Sequence, residues 1–128
     1  MSEYLFVYGS LRLSAGNPTA RYLHNQARWI GSGRMPGRVY SLGDYPGAEL
    51  DESCGQFVEG DVFELDDPDD VFRVLDSYEG IGPEFPEPHE YQRCLCPVYL
   101  RGETLCCWVY LHNSSAHPFG SDLSEGSD

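Results

Sequence analysis

The sequence predicts an α+β domain whose strands, about six to seven and mostly antiparallel, form a small barrel or a strongly curled sheet. Short segments rich in aromatic and β-branched residues recur along the chain between glycine and proline turns, which is typical of strands. Two segments show the three- and four-residue apolar spacing of an amphipathic helix. The 128 residues, of which 41% are hydrophobic, suit one domain with one core. A curled or closed sheet is expected because it removes exposed strand edges.

The first predicted elements are a strand over residues 3–8, a loop over residues 9–16 and a short helix. Asn17 is placed to cap that helix, and Pro18 suits its first position. The apolar stripe at helical spacing is Ala20, Leu23, Ala27 and Ile30. The end of the helix stays open, because the segment ARWIGSGRM, residues 27–35, could instead begin a strand.

Two strands and the clearest helix come next. The strands are predicted over residues 37–42 (GRVYSL) and 56–65 (QFVEGDVFEL), and Gly60 within the second indicates a bulge or a close backbone approach. Asp67 then caps a helix that opens with Pro68. Its predicted buried stripe is Val71, Val74, Leu75 and Tyr78, and Gly80 ends it.

The last third of the predicted domain is a loop followed by a hairpin. Residues 80–90, GIGPEFPEPHE, contain three prolines and two glycines, and such a long loop in a small domain is often a lid or a binding loop. Residues 91–100 and 103–111 are predicted to pair as a hairpin through Arg101 and Gly102. We therefore place the domain at residues 1–111 and a polar, acidic, flexible tail at residues 112–128.

The charge of the chain narrows the range of partners. Its 21 acidic residues against eight basic ones give a formal net charge of -13, and every basic residue is Arg. This charge repels phosphate backbones, so nucleic acid is disfavoured as a partner. The absence of Lys excludes a Walker A phosphate loop and a Schiff base. No apolar run is long enough to span a membrane and the N-terminus does not resemble a signal peptide, so a soluble, cytoplasmic protein is expected.

The five cysteines are expected to be free thiols. Cys94 and Cys96 fall on one face of a predicted strand, whereas the adjacent Cys106 and Cys107 fall on opposite faces of the next. Their spacing does not suit a zinc site, so buried apolar thiols are favoured and no metal is expected.

Glu79 and the segment VYGSLR, residues 7–12, are the candidates for chemistry. Glu79 stands at the C-terminal end of the clear helix, where the helix dipole tends to raise the pKa of a carboxyl, as a proton shuttle requires. A solvated helix-end glutamate is the plain alternative. In VYGSLR, the backbone of Gly9, Ser10 and Leu11 can offer N–H donors to a carbonyl oxygen or a carboxylate, with an ordinary turn as the alternative.

Seven sequence features follow one another along the chain: VYGSLR, Asn17, GRVYSLGDYPG, VEGDVFEL, LDSYEG, YQR and CWVY. Taken in this order, they resemble the γ-glutamylcyclotransferase-like family over residues 4–111. The resemblance implies a small mixed barrel with two or more flanking helices. It also implies a catalytic Glu79 and a substrate-binding loop that corresponds to Tyr8, Gly9, Ser10 and Leu11. Tyr91, Arg93 and Tyr110 match positions that bind substrate or pack the barrel.

The chemistry implied by the resemblance is cyclisation of a γ-glutamyl group of a small γ-glutamyl amine or amino acid, with 5-oxoproline and a free amine as products. No cofactor is implied, and Glu79 would act as base and then as acid. A related alternative is removal of a γ-glutamyl group from a larger molecule. Further alternatives are a binding module of the same fold without catalysis and a protein-interaction domain. The sequence does not decide among γ-glutamyl compounds or oligomeric states.

Overall fold

A computed structural model describes residues 3–9, 12, 16–41 and 46–113 of the chain. Its described elements are six strands and two helices. In chain order they are β1 (Tyr4–Val7), α1 (Pro18–Gln26), β2 (Ala27–Ser41), β3 (Pro46–Leu50), β4 (Phe57–Leu65), α2 (Pro68–Tyr78), β5 (Tyr91–Leu100) and β6 (Glu103–His112).

Five of these strands close into a barrel. The sheet has the order β3-β2-β4-β1-β6-β5, and β2 also pairs with β5 at Arg34 and Tyr99, which joins the two ends. The extra strand β3 lies outside the ring, paired with the second half of β2. The β1–β6 pair is parallel, and the other strand pairs are antiparallel. The predicted fold class, a small, mixed and mostly antiparallel barrel with flanking helices, is confirmed.

The segment over residues 27–35, for which the sequence left helix and strand open, forms the first part of the long strand β2. Helix α1 ends at Gln26, so Ala27 and Ile30 belong to β2 and not to a helical stripe. Pairing with β4 runs from Ala27–Leu65 to Pro36–Phe57, with a register shift between Trp29 and Gly31. The pairing supplies ladder hydrogen bonds from a distant segment, and these outweigh the weak helical preference of this stretch.

Both helices begin at the predicted caps. Asn17 Oδ1 accepts a hydrogen bond from Ala20 N at 2.8 Å, and Asp67 Oδ1 accepts one from Asp70 N at 3.3 Å. The buried stripe of α2 differs from the prediction: Val71, Phe72 and Leu75 are buried, whereas Val74 is half-buried and Tyr78 is 44% exposed. Phe72 is drawn inward by an edge-to-face contact with Trp108, whose ring centroid is 5.9 Å away.

The predicted hairpin is confirmed. Strands β5 and β6 pair from Tyr91–His112 to Leu100–Glu103. Arg101 and Gly102 between them both have positive φ, 52° and 81°, as two-residue turns that match the twist of the strands require. Residues 114–128 of the predicted tail lie outside the described residues, so the domain boundary stays a prediction.

The core has two parts, one inside the barrel and one under the helices. The inner cluster consists of Phe6, Met35, Ala48, Val58, Val62, Cys96, Val98, Leu100, Cys107, Val109 and Leu111. The outer cluster consists of Leu5, Val7, Ala20, Leu23, Phe63, Leu65, Val71, Phe72, Leu75 and Tyr110. Each strand alternates its side chains between the two faces of the sheet, so one strand supplies both clusters.

The five cysteines, all among the described residues, form no disulfide and follow the predicted faces. Cys96 and Cys107 are buried opposite each other on the hairpin, and Cys106 is exposed. Burial raises the pKa of the Cys96 and Cys107 thiols to about 12, so both are neutral thiols at physiological pH. Neither helix of the described chain is long and apolar enough to cross a membrane.

Candidate active site

Glu79 is fixed where α2 stops. Its backbone N–H donates to Leu75 O at 2.9 Å, which keeps it on the last turn, and Gly80 follows with φ of 79°. Ile81 N then donates to Asp76 O at 2.8 Å. A glycine with positive φ after the last turn is the usual end of a helix, because it lets the chain turn away while the last carbonyls stay paired. Helix termination therefore sets the position of the Glu79 side chain.

Glu79 lines a pocket of about 570 Å³ at one end of the barrel. The end of β1, the end of α2, the loop over residues 80–90 and the strands β5 and β6 all contribute to its wall. The described lining residues are Phe6, Val7, Tyr8, Gly9, Tyr78, Glu79, Gly80, Phe85, Pro86, His89, Glu90, Tyr91 and Tyr110. The wall is therefore largely aromatic.

Most of the residues selected from the sequence meet at this pocket. Tyr8, Gly9, Glu79, Tyr91 and Tyr110 are among its lining residues. Ser10 and Leu11 lie outside the described residues. Arg93 is not among the described lining residues and lies behind the wall.

The environment of Glu79 favours its protonated form. Burial, and after it the nearby carboxylate of Asp76, raise the pKa of Glu79 to about 7. The direction agrees with the expectation from the sequence, but the main cause is desolvation and not the helix dipole. A carboxyl that titrates near neutral pH can both accept and return a proton there.

The hydroxyls of Tyr8 and Tyr110 are occupied by protein partners. Tyr8 Oη donates to Tyr110 O at 2.6 Å and accepts from Ala48 N at 3.2 Å, whereas Tyr110 Oη donates to Asp76 Oδ1 at 2.6 Å. Burial raises the pKa of both phenols far above neutral. These tyrosines therefore stay neutral and offer ring surface to the pocket.

Arg93 clamps Asp76. Its Nε donates to Asp76 Oδ1 at 2.9 Å and its Nη2 to Asp76 Oδ2 at 3.1 Å. The guanidinium also lies 4.0 Å from the ring centroid of Phe72 and 4.8 Å from that of Trp108. Sequence reasoning did not select Asp76. Its spacing of three residues from Glu79 on a helix, which puts both on one face, is the signal that identifies it.

The loop over residues 80–90 is fastened at its C-terminal end. His89 Nε2 lies 3.1 Å from Gly82 O, and the carbonyls of His89 and Glu90 accept hydrogen bonds from Asn113 at 2.9 and 2.7 Å. Phe85, Pro86, His89 and Glu90 line the pocket as a result. The proline-rich composition indicated a binding loop but could not say which of its residues reach the wall.

A buried carboxylate, Asp61, stands beside the segment that begins at Gly9. Asp61 is 4% exposed, and its Oδ1 accepts from Trp29 Nε1 at 3.2 Å. Its Oδ2 lies 3.3 Å from Arg12 Nε, and Arg12 N donates to Gly9 O at 3.1 Å. The sequence did not identify Asp61, because its partners come from two distant segments.

Gly60 provides the close approach that the sequence indicated. A Cβ on Gly60 would lie 2.3 Å from Val7 O and 2.7 Å from the Phe6 ring. Only a residue without a side chain lets β4 lie so close to the end of β1.

Among the residues that the structure describes, no group of three or more His, Cys, Asp or Glu side chains could hold a metal ion.

Comparison with known proteins identifies the family of the chain. The sequence model described as "Gamma-glutamyl cyclotransferase, AIG2-like" matches residues 5–127. The chain belongs to this family. The resemblance inferred from the ordered motifs is thereby confirmed. No curated protein sequence matches the chain significantly.

Solved structures share the fold of this family member. An AIG2-like protein from Mus musculus is 24% identical, with a TM-score of 0.68 over 97% of this chain and 85% of that chain. YkqA from Bacillus subtilis is 23% identical, with a TM-score of 0.66 over 88% of this chain. The match spans only 36% of YkqA, so that protein is much longer. A protein from Arabidopsis thaliana is 22% identical, with a TM-score of 0.65.

Proposed function

We propose that this protein is a γ-glutamyl cyclotransferase that converts the γ-glutamyl group of a small γ-glutamyl amine or amino acid to 5-oxoproline and releases the amine. The observation that carries this proposal is the half-buried Glu79, whose pKa is raised to about 7 within an aromatic pocket of a family member. A group that exchanges its proton near neutral pH suits a reaction in which one proton is first removed and then returned.

The nucleophile is the α-amine of the substrate itself. This amine is an ammonium at neutral pH, and the Glu79 carboxylate takes a proton from it. The free amine attacks the γ-carbonyl carbon, and a C–N bond forms to close a five-membered ring. The bond from that carbon to the leaving nitrogen then breaks as Glu79 returns its proton to this nitrogen. The ring nitrogen gives up its second proton, which the released amine takes up. The products are 5-oxoproline and the amine as its ammonium, and Glu79 is again a carboxylate.

The pocket supports this reaction by holding the substrate bent. The rings of Tyr8, Tyr91 and Tyr110 form part of the wall, against which the aliphatic chain of a γ-glutamyl group can pack. Ring closure is intramolecular, and well-oriented intramolecular reactions reach effective molarities of about 10⁵ M or more. Backbone N–H groups from Gly9 to Leu11 bind the γ-glutamyl group and stabilise the developing oxyanion in this proposal. Arg93, proposed from the resemblance as a substrate-binding residue, acts here through Asp76.

The charge of the wall favours a leaving group that is an amine. Among the described lining residues, Glu79 and Glu90 carry carboxyl groups and none is Arg or Lys. A second carboxylate on the leaving part would be repelled by these groups, whereas an alkyl chain in its place is uncharged and can pack against the aromatic rings. We therefore rank γ-glutamyl amines above γ-glutamyl amino acids and glutathione as substrates.

The test is an assay of the purified protein against γ-glutamyl amines, γ-glutamyl amino acids, γ-glutamyl-ε-lysine and glutathione, with 5-oxoproline measured by mass spectrometry. Replacing Glu79 by Gln keeps the shape of the side chain and removes the base, so we expect turnover to fall by about a hundredfold or more. Glu84 is exposed and is not among the lining residues, so Glu84→Gln is the matched control and should keep full activity.

Two results would contradict the proposal. Full turnover by folded Glu79→Gln protein would remove Glu79 from the mechanism. Thermal stabilisation of the wild-type protein by 5-oxoproline, without turnover of any substrate in the panel, would instead identify a binding module.

A further inference from the structure

Asp76 lies one helical turn before Glu79 and carries more hydrogen bonds than a solvated helix residue needs. It accepts three of them: Arg93 and Tyr110 donate to Oδ1, and Arg93 donates again to Oδ2. Two of the three come from a guanidinium in bidentate geometry, the usual pairing of Arg with a carboxylate. These bonds hold the carboxylate of Asp76 in place on the same helix face as Glu79.

Arg93 is held as firmly as its partner. The guanidinium lies over the rings of Phe72 and Trp108, and its side chain is 26% exposed against 22% for Asp76. A second cavity of about 510 Å³, which shares His89 and Tyr91 with the pocket, is lined by both members of the pair. The pair thus lies between the two cavities. Tyr110 connects the pair to the pocket that Glu79 lines, because the Tyr110 ring lines that pocket and its hydroxyl donates a hydrogen bond to Asp76.

We propose that Asp76 and Arg93 form a charge couple that sets the protonation of Glu79, with Asp76 favouring the neutral carboxyl and Arg93 favouring the carboxylate. Both are positioning residues in this scheme, because neither is among the described residues that line the pocket. The inference deepens the proposed function and rests on it. The contribution of the Asp76 carboxylate to the raised pKa of Glu79 agrees with the part of the proposal assigned to Asp76.

The couple is distinguishable from a structural ion pair because its two members act in opposite directions. Removing the carboxylate leaves an unopposed cation near Glu79, which lowers the pKa of Glu79. Removing the guanidinium leaves an unopposed anion, which raises it. If the pair only held α2 against β5, loss of Asp76 and loss of Arg93 would not shift the pKa of Glu79 in opposite directions.

Other ionisable groups line the same pocket as Glu79, and the comparison must hold them constant. They come from β1, α2, the loop over residues 80–90, β5 and β6, and they are Tyr8, Tyr78, His89, Glu90, Tyr91 and Tyr110. All six are retained when Asp76 or Arg93 is replaced. A difference between those two variants therefore reports the couple.

The experiment is a pH titration of the Glu79 carboxyl carbon by NMR, on the full chain labelled with ¹³C-glutamate and without substrate. The Glu79→Gln variant assigns the resonance. We expect Asp76→Asn to lower the titration midpoint by about one pH unit and Arg93→Gln to raise it by about one unit. The acidic limb of the kcat/KM profile should move in the same two directions.

Two further variants serve as controls. Tyr110→Phe removes a hydrogen bond from Asp76 without changing any charge, so its midpoint should stay closer to wild type than either charge variant. Arg93→Lys keeps the cation without the bidentate geometry and should restore most of the shift caused by Arg93→Gln. If Asp76→Asn fails to fold, the upward shift of Arg93→Gln and its rescue by Lys still decide the matter.

The outcomes separate the couple from the proposed reaction. The couple would be overturned if the Glu79 titration midpoint moved in the same direction in Asp76→Asn and Arg93→Gln, or in neither. This holds even if Glu79→Gln abolishes turnover. Opposite shifts in a protein that forms no 5-oxoproline from any substrate would support the couple and overturn the proposed function.

Discussion

The inside of the barrel and the layer under the helices use the same strands for different purposes. On β1, Phe6 belongs to the inner cluster and its neighbour Val7 to the outer cluster. The buried side chains of the inner cluster are apolar, and its thiols stay neutral. Glu79 lies instead where α2 ends, at the pocket that Phe6 of the inner cluster and Val7 of the outer cluster also line, a place we call the rim. The difference teaches that this fold gains its stability in one region and holds its titratable carboxyl in another.

The largest expected effect is a loss of stability that is confined to the inner cluster. Met35 is fully buried inside the barrel, so Met35→Ala should lower the free energy of unfolding by on the order of 4 kcal/mol through lost burial and a cavity. The kcat/KM of the remaining folded protein should not change, because Met35 is not among the residues that line the pocket. Urea unfolding and the 5-oxoproline assay measure the two effects.

Val39 provides the control on the same strand. It is 50% exposed, so Val39→Ala should change the free energy of unfolding by less than about 0.5 kcal/mol. Loss of kcat/KM in folded Met35→Ala protein would mean that the two regions are not independent.

The second effect is a pH dependence of stability that arises from Glu79 at the rim. The pKa of Glu79 is about 7 in the folded chain against an ordinary value of 4.5, so the folded state holds a proton that the unfolded state releases. The resulting stabilisation is complete below pH 4.5 and is lost as the pH rises through 7. It amounts to about 3 kcal/mol, since each pKa unit corresponds to about 1.4 kcal/mol.

Urea unfolding between pH 5 and pH 8 tests this dependence. The wild-type protein should lose stability relative to Glu79→Gln as the pH rises across that interval, whereas Glu84→Gln should follow the wild type. Equal pH dependence in wild type and Glu79→Gln would contradict the raised pKa.

The smallest expected effect is a substitution at Gly60 that changes both stability and substrate binding. An Ala side chain at Gly60 would press on Phe6 and on the carbonyl of Val7, which also line the pocket. Gly60→Ala should therefore cost about 2 kcal/mol of stability and also raise KM. Gly16→Ala adds a methyl group where no atom lies within 4 Å and should do neither. Normal KM with reduced stability in Gly60→Ala would show that the end of β1 can shift without disturbing the pocket.

Local signals predicted the parts of the fold that depend on neighbouring residues. The caps at Asn17 and Asp67, the helix end at Gly80 and the turn at Arg101–Gly102 follow from the residues themselves. The first half of β2 could not be settled in this way, because its partner in β4 lies nearly forty residues later in the chain, as at the pair Ala27–Leu65. Phe72 was missed for the same reason, since Trp108 draws it inward.

The residues of the candidate site differ in the same way: local signals predicted some of them, and the others depend on distant partners. The motifs led to Glu79 and to the tyrosines, and the helix dipole gave the direction of the Glu79 pKa. Asp76, Asp61 and the lining residues of the 80–90 loop were not selected, because their roles depend on partners from distant strands. The spacing of Asp76 from Glu79 places both on one helix face, but the ion pair of Asp76 becomes visible only when the strand that bears Arg93 is placed beside it.

The parallel pairing of β1 with β6 also determines when the pocket can exist. Leu5 on β1 lies beside Trp108 on β6, about a hundred residues later in the chain. The pairing between β5 and β6 is local, because a two-residue turn joins them, whereas β1 must wait for partners from β4 and β6. Contacts between distant segments form slowly, because a long loop must be closed before they are gained. During synthesis the wall formed by Tyr8 and Tyr110 therefore comes together only after nearly all of the described chain has been made, so a growing chain carries Glu79 long before it has a pocket around it.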